Sequence, residues 1–216
     1  MVDERGEVLW SLGDIKQVSF PRSALKYFQH IPFLLSGGFD ALGFGPKELA
    51  IMCASHNGED MHLAVVDDVL KTVNLKQDYL KCGAQQPTRK SDYIRLIQNN
   101  QEPTCMHNNC SGKHAAMLLT CVTNGWPIAN YLDPAHPLQV AIKKELEELA
   151  GEKITLTSTD GCGAPLFLLS LAGLAKAIRA ITLSTDPVHQ EVMNASRSNP
   201  VMVAGHGRLT TQLMEA

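Results

Sequence analysis

The segment Asn108-Asn109-Cys110-Ser111-Gly112-Lys113-His114-Ala115-Ala116-Met117-Leu118 constrains the fold most, because a thiol, a hydroxyl, an amine and an imidazole stand directly before an apolar run. The Asn-Asn and Ser-Gly elements suit a loop, and Lys113 to Thr120 reads as the first turns of a helix entering the core. A helix that buries its body while opening on reactive groups suggests a site. Helical spacing brings Cys110 near Lys113 or His114, and the positive end of the helix favours a thiolate at Cys110. The plainer reading is a capped helix start with a buried cysteine.

The rest of the chain bounds what such a site serves. Its 216 residues, 44% hydrophobic and 19% charged with a formal net charge of -3, describe a soluble globular protein able to bury a sizeable core. No basic run is present, and the Arg89-Lys90 cluster is an ordinary solvated face, so no nucleic-acid partner is expected. The N-terminus lacks the apolar stretch of a signal peptide and no later stretch reaches membrane-spanning length, so no membrane partner is expected and a cytoplasmic setting is the default. Six cysteines (Cys53, Cys82, Cys105, Cys110, Cys121 and Cys162) are too few for a disulfide scaffold in a chain of this length; buried, metal-binding or catalytic thiols are expected instead.

Periodicity predicts mostly helices. Strands are expected at Val8 to Leu12, at Gln17 to Phe20 and at Lys153 to Leu156. A helix is expected to begin near Arg22 and break at Pro32, and a second to carry Leu34-Leu35. Further helices are expected over Pro46 to Ala54, Met61 to Val73, Ser91 to Gln98, Lys113 to Thr123, Pro137 to Ala150, Phe167 to Ala180 and His189 to Ser198, with a last loop and helix from Gly205. No repeat, linker or low-complexity stretch appears, so residues 1–216 are expected to form a single domain. With few strands for its sheet, the chain is expected to be a fragment lacking C-terminal strands.

Several groups are equipped for chemistry. Ser23 and Lys26 form a Ser-x-x-Lys pair that the i, i+3 relation places on one helix face, where an amine acts on a hydroxyl once its pKa is lowered. The spacing is common by chance. Ser55-His56-Asn57-Gly58-Glu59 offers a second hydroxyl in a polar loop, although Ser55 or Asn57 would serve equally as a cap for the helix near Glu59. Asp160-Gly161-Cys162-Gly163 is a tight turn holding a carboxylate and a thiol, with glycines that let backbone amides approach a ligand. Cys110 and Cys162 lie too far apart for a zinc finger or Cys-x-x-Cys motif, so a shared metal requires the fold to join them, with His107 and His114 as alternative ligands.

Together these segments resemble a known family. Phe20-Pro21-Arg22-Ser23-Ala24-Leu25-Lys26, Cys53-Ala54-Ser55-His56-Asn57-Gly58-Glu59, His107 through Leu118, Tyr131-Leu132-Asp133-Pro134, Asp160-Gly161-Cys162-Gly163 and Met202-Val203-Ala204-Gly205 are similar, in order, to the signature segments of the zinc-containing, Rhizobium-type bacterial L-asparaginases, the thermolabile asparaginase II class. The resemblance implies an α/β fold, an α/β/α sandwich like that of serine β-lactamases, penicillin-binding proteins and serine glutaminases. It implies Ser23, Lys26 and Ser55 as catalytic residues, with Arg22, His56, Asn57, Asp160 and Gly161 around the substrate. Cys110, Lys113 and Cys162 would hold Zn2+, a neutral lysine amine joining two thiolates. The reaction implied is hydrolysis of the L-asparagine side-chain amide to L-aspartate and ammonia by a homodimer, with the attacking serine undecided.

The family carries a strand upstream of this start and a Lys-Gly-Gly segment, partner of the second serine, beyond Ala216. Leu209-Thr210 stands where the family has an aromatic or aliphatic residue followed by Asp. The alternatives are therefore a truncated or degenerate zinc-binding homologue without turnover, and a serine glutaminase or β-lactam-reactive relative.

Overall fold

The computed structural model describes residues 1–216. In chain order the elements are β1 (Val18–Ser19), a 3-10 turn (Arg22–Leu25), α1 (Lys26–Gln29), α2 (Ile31–Leu35), α3 (Gly38–Ala41), α4 (Pro46–Cys53), α5 (Asp60–Lys71), a 3-10 turn (Gln77–Tyr79), α6 (Lys90–Gln98), a 3-10 turn (Cys105–His107), α7 (Ser111–Thr123), α8 (Pro137–Ala150), β2 (Thr157–Thr159), β3 (Pro165–Phe167), β4 (Leu169–Ser170), α9 (Leu171–Leu183), α10 (Pro187–Ser198), α11 (Pro200–Val203) and α12 (Leu209–Glu215). Helix dominates, and the strands pair as two small antiparallel sheets, β1 with β4 and β2 with β3. No helix is long and apolar enough to cross a membrane.

The layout centres on α7. Every residue from Ser111 to Cys121 is buried, the polar Ser111, Lys113, His114 and Thr120 included, and α4, α5 and α2 pack around the helix. Helix α4 in turn lies between α7 and α10. Local signals explain the boundaries: Pro46 and Pro137 stand in the first turns of α4 and α8, where their missing N–H groups would be unpaired anyway. Gly151 closes α8 in the left-handed region at φ 66°.

Three expectations need correction. Val8 to Leu12 is not a strand; only a single bridge joins Val8 to Val2. The strand expected at Lys153 to Leu156 begins instead at Thr157, where Ser158 opposes Leu166 in the ladder. The helix expected over Phe167 to Ala180 starts at Leu171; Pro165–Phe167 and Leu169–Ser170 are strands buried in the core. Short apolar runs of this kind carry no period that separates a buried strand from a helix.

Candidate active site

A cavity of about 220 Å³ opens where three chain segments meet. Arg22 and Ser23 come from the turn before α1, Asn108, Asn109 and Cys110 from the approach to α7, and Asp160, Gly161 and Cys162 from the turn between β2 and β3, with Gln85 closing one side. The β2–β3 turn is held by the Asp160 amide donating to Ala164 O at 2.8 Å and the Gly163 amide donating to Asp160 O at 2.8 Å. Arg22 takes a left-handed φ of 52°, unusual for a residue with a Cβ, and its guanidinium meets the Asp160 carboxylate at 2.8 Å. The sequence reading thus anticipated most of the lining. It missed Gln85, which carries no local signal.

Lys26 lies behind this cavity, 1% exposed. Its Nζ is 3.0 Å from Ser55 Oγ and 3.0 Å from Asn109 O, and it also bonds Ala54 O. The amine therefore turns to Ser55, while Ser23, three residues before it in the 3-10 turn that leads into α1, lines the cavity. Ser55 is fixed directly after α4 by its amide donating to Val203 O at 3.0 Å. Burial pulls the Lys26 pKa down, partly offset by Cys110 and reinforced by Lys113.

The fold, not helical spacing, brings Cys110 and Cys162 to the same cavity. Lys113 Nζ lies 3.1 Å from Cys162 Sγ and Cys110 Sγ lies 3.1 Å from Asn109 Oδ1, while the neighbouring Cys162, with help from Lys26 and Lys113, holds the Cys110 thiol down to about 5. Cys162 correspondingly keeps its proton. By contrast, burial pushes Cys53, Cys82 and Cys121 up to about 12. All six cysteines are free thiols. Counting only His, Cys, Asp and Glu, no group of three gathers as a metal site.

His56 and Asn57 are drawn into a different network. His56 is fully buried, its Nδ1 accepting the Gly58 amide at 3.1 Å and its Nε2 bonding Ser111 Oγ at 3.0 Å. The Asn57 amide nitrogen donates to Glu59 Oε1 at 3.0 Å and His206 O at 3.1 Å. Glu59, rather than Ser55 or Asn57, is the cap of α5, and it also receives Arg89 at 2.8 Å and the His206 ring at 2.7 Å. Burial alone would raise the Glu59 pKa, but the bonds from His206, Asn57 and Arg89 win and lower it from 4.5 to about 2. Because the folded value is the depressed one, this stabilisation is present above pH 4.5 and disappears as pH falls towards 2. Glu59→Ala is expected to lower unfolding free energy at neutral pH by about 1–3 kcal/mol and to flatten the acid limb of a stability-versus-pH curve measured by urea denaturation.

No curated protein matches the sequence. The family model for L-asparaginase II, however, matches residues 1–216. The cavity, the buried lysine against a serine and the paired thiols occur on that matched chain, which belongs to the L-asparaginase II family and is an asparaginase-type amidohydrolase.

Proposed function

We propose that the protein hydrolyses the side-chain amide of L-asparagine with Ser55 as nucleophile and Lys26 as its base. The arrangement around Lys26 Nζ carries this reading. Burial favours the neutral amine; in that form Ala54 O and Asn109 O, which only accept, would take its two N–H groups and leave the lone pair for the Ser55 hydroxyl. Lys26 removes the proton as Ser55 Oγ attacks the amide carbon, then returns it to the departing nitrogen as ammonia leaves. Water repeats the sequence against the resulting ester: Lys26 takes its proton, aspartate departs, and Ser55 Oγ recovers its hydrogen.

Arg22 and Asp160 suit the two charged ends of an amino acid. Their ion pair opens to give a guanidinium for the α-carboxylate and a carboxylate for the α-ammonium, in a cavity of about 220 Å³ that matches a small substrate. Ser23 and Gln85 line the same wall, whereas Ser55 lies outside that lining and is joined to it through Lys26 Nζ, which also bonds Asn109 O. The Ser-x-x-Lys that runs from the 3-10 turn into α1 is what supports the α/β/α sandwich of serine β-lactamases as the parent fold.

We also propose a zinc site at Cys110, Lys113 and Cys162. The donor chemistry fits: two thiols and an amine converge, one thiol is already disposed to ionise, and the cavity reaches both sulfurs. When bound, the ion would supply positive charge beside the cavity, favouring deprotonated neighbours. Ammonia release measured with asparagine, glutamine and a penicillin, alongside zinc analysis, tests both parts. Turnover fastest on asparagine, with zinc retained by the wild type and lost in Cys110→Ser, is expected. Preference for glutamine or acylation by penicillin would favour the glutaminase or β-lactam-reactive reading. Bound zinc without ammonia release would favour a non-catalytic homologue.

A further inference from the structure

His56 directly follows Ser55 and is fully buried, yet the reaction described above gives it no task. Its Nδ1 accepts the Gly58 backbone amide at 3.1 Å, and an imidazole that accepts at Nδ1 is neutral and carries its hydrogen on Nε2. Nε2 lies 3.0 Å from Ser111 Oγ, so the ring donates there, and Ser111 Oγ passes its own hydrogen to Met106 O at 3.0 Å. Every hydrogen in this chain has an acceptor, and neither ring nitrogen is left for a substrate. The ring is also stacked on His62, with centroids 4.9 Å apart and planes 21° from parallel. His62 has the same arrangement, accepting the Glu59 amide at Nδ1 and donating from Nε2 to Val201 O at 3.0 Å.

These bonds close a ring through the reacting pair. Ser55 Oγ meets Lys26 Nζ at 3.0 Å, Lys26 Nζ meets Asn109 O at 3.0 Å, the backbone runs from Asn109 to Ser111, and Ser111 Oγ returns to His56 beside Ser55. The loop bearing the hydroxyl and the loop bearing an acceptor of the amine are therefore tied by Lys26 and again by His56. On its other side the Ser55 amide is held by Val203 O at 3.0 Å, close to the carbonyl that His62 holds. The lysine is a poor permanent tie, because an amine that takes up a proton during turnover changes its hydrogen bonds as it does so. The His56 bond keeps the same donor and acceptor throughout.

We infer that His56 is a positioning residue whose Nε2–H, donated to Ser111 Oγ, ties the Ser55 loop to the start of α7 and so holds the Ser55 hydroxyl against Lys26 Nζ. Its effect on rate rests on the reading of Ser55 as nucleophile and Lys26 as base; the tautomer and the bond belong to the resting fold. A displacement of about 1 Å between reacting groups, produced by a change that touches no substrate, costs about 100-fold in rate, and this sets the size of the expected effect.

Two replacements separate the two bonds of the ring. His56→Gln sets a side-chain N–H near the Nε2 position and keeps the bond to Ser111, whereas His56→Asn sets a carbonyl near the Nδ1 position and keeps only the Gly58 amide. Steady-state kinetics on L-asparagine with the full chain should show kcat lowered about 10- to 100-fold in His56→Asn, with KM little changed, and His56→Gln close to wild type. Ser111→Ala should fall to the level of His56→Asn, and the double variant should fall no further, because both remove one bond. Nitrogen-15 NMR of the histidine rings, assigned with His56→Gln, should give the Nε2–H tautomer for His56. Full kcat in His56→Asn, the reverse order of the two His56 variants, additive losses in the double variant, or an Nδ1–H ring overturns the inference while Ser55→Ala stays inactive. Turnover by Ser55→Ala instead removes the underlying reading, and the inference with it. Melting curves identify loss through misfolding; if His56→Asn fails to fold, Ser111→Ala decides, and an unchanged kcat there overturns the inference.

Discussion

Lys26→Met should lower kcat for asparagine hydrolysis by about 100- to 10,000-fold, the range for loss of a positioned base, with a much smaller change in KM. The expectation follows from the partners of Nζ: Ala54 O, Asn109 O and Ser55 Oγ surround it, and none of them contacts substrate through the lysine. Methionine keeps most of the buried stem volume, so the core contacts of a side chain 1% exposed largely survive. Lys26→Arg should fail as completely, because a guanidinium stays protonated and has no lone pair to offer Ser55. Steady-state kinetics with a melting curve for each variant checks this. Full activity in Lys26→Met removes the lysine from the chemistry, and rescue by arginine would show that only its positive charge matters.

Gly112→Ala should destabilise the protein by about 3 kcal/mol or more, at the upper end of the range for overpacking. A Cβ at Gly112 would lie 2.1 Å from Ile51 O and 2.8 Å from Ile51 C, and those are backbone atoms of α4 that cannot rotate away. Relief requires α7 to move off α4. That movement separates Cys110 and Lys113 at the start of α7 from Lys26 and Ser55, which are tied to the end of α4, so zinc retention and turnover should fall together with stability. Urea denaturation reads the first effect and metal content the second. A Gly112→Ala protein as stable as wild type would mean the two helices pack less closely than described. In sequence, this glycine resembles a loop residue; its reason is the approach of two helices.

That glycine illustrates where the sequence was readable. Helices α4, α5, α7, α8 and α10 could be read from prolines in first turns, a glycine after the last turn and 3.6-residue apolar spacing, all local properties. The strands could not, since Phe167 and Leu169 sit in short apolar runs whose conformation is set by pairing partners elsewhere, Thr157 and Ser19. The same division holds at the site. Cys110 beside Lys113 follows from helical spacing, and the Asp160 to Gly163 turn from its glycines. The alliance of Lys26 with Ser55 depends on α4 ending against α1, and Ser-x-x-Lys spacing pointed to Ser23 instead. Likewise His56 and Asn57 look available in sequence, yet the fold spends their polar atoms on Ser111, Glu59 and His206.

The central claim is that Lys26 activates Ser55. Rapid acid quenching during turnover of L-asparagine, followed by peptide mass spectrometry, locates the acyl group directly. An aspartyl ester on the peptide containing Ser55, absent from the Ser55→Ala protein and still formed in Ser23→Ala, is the predicted result. The same ester on Ser23, formed normally when Ser55 is alanine, would contradict the assignment.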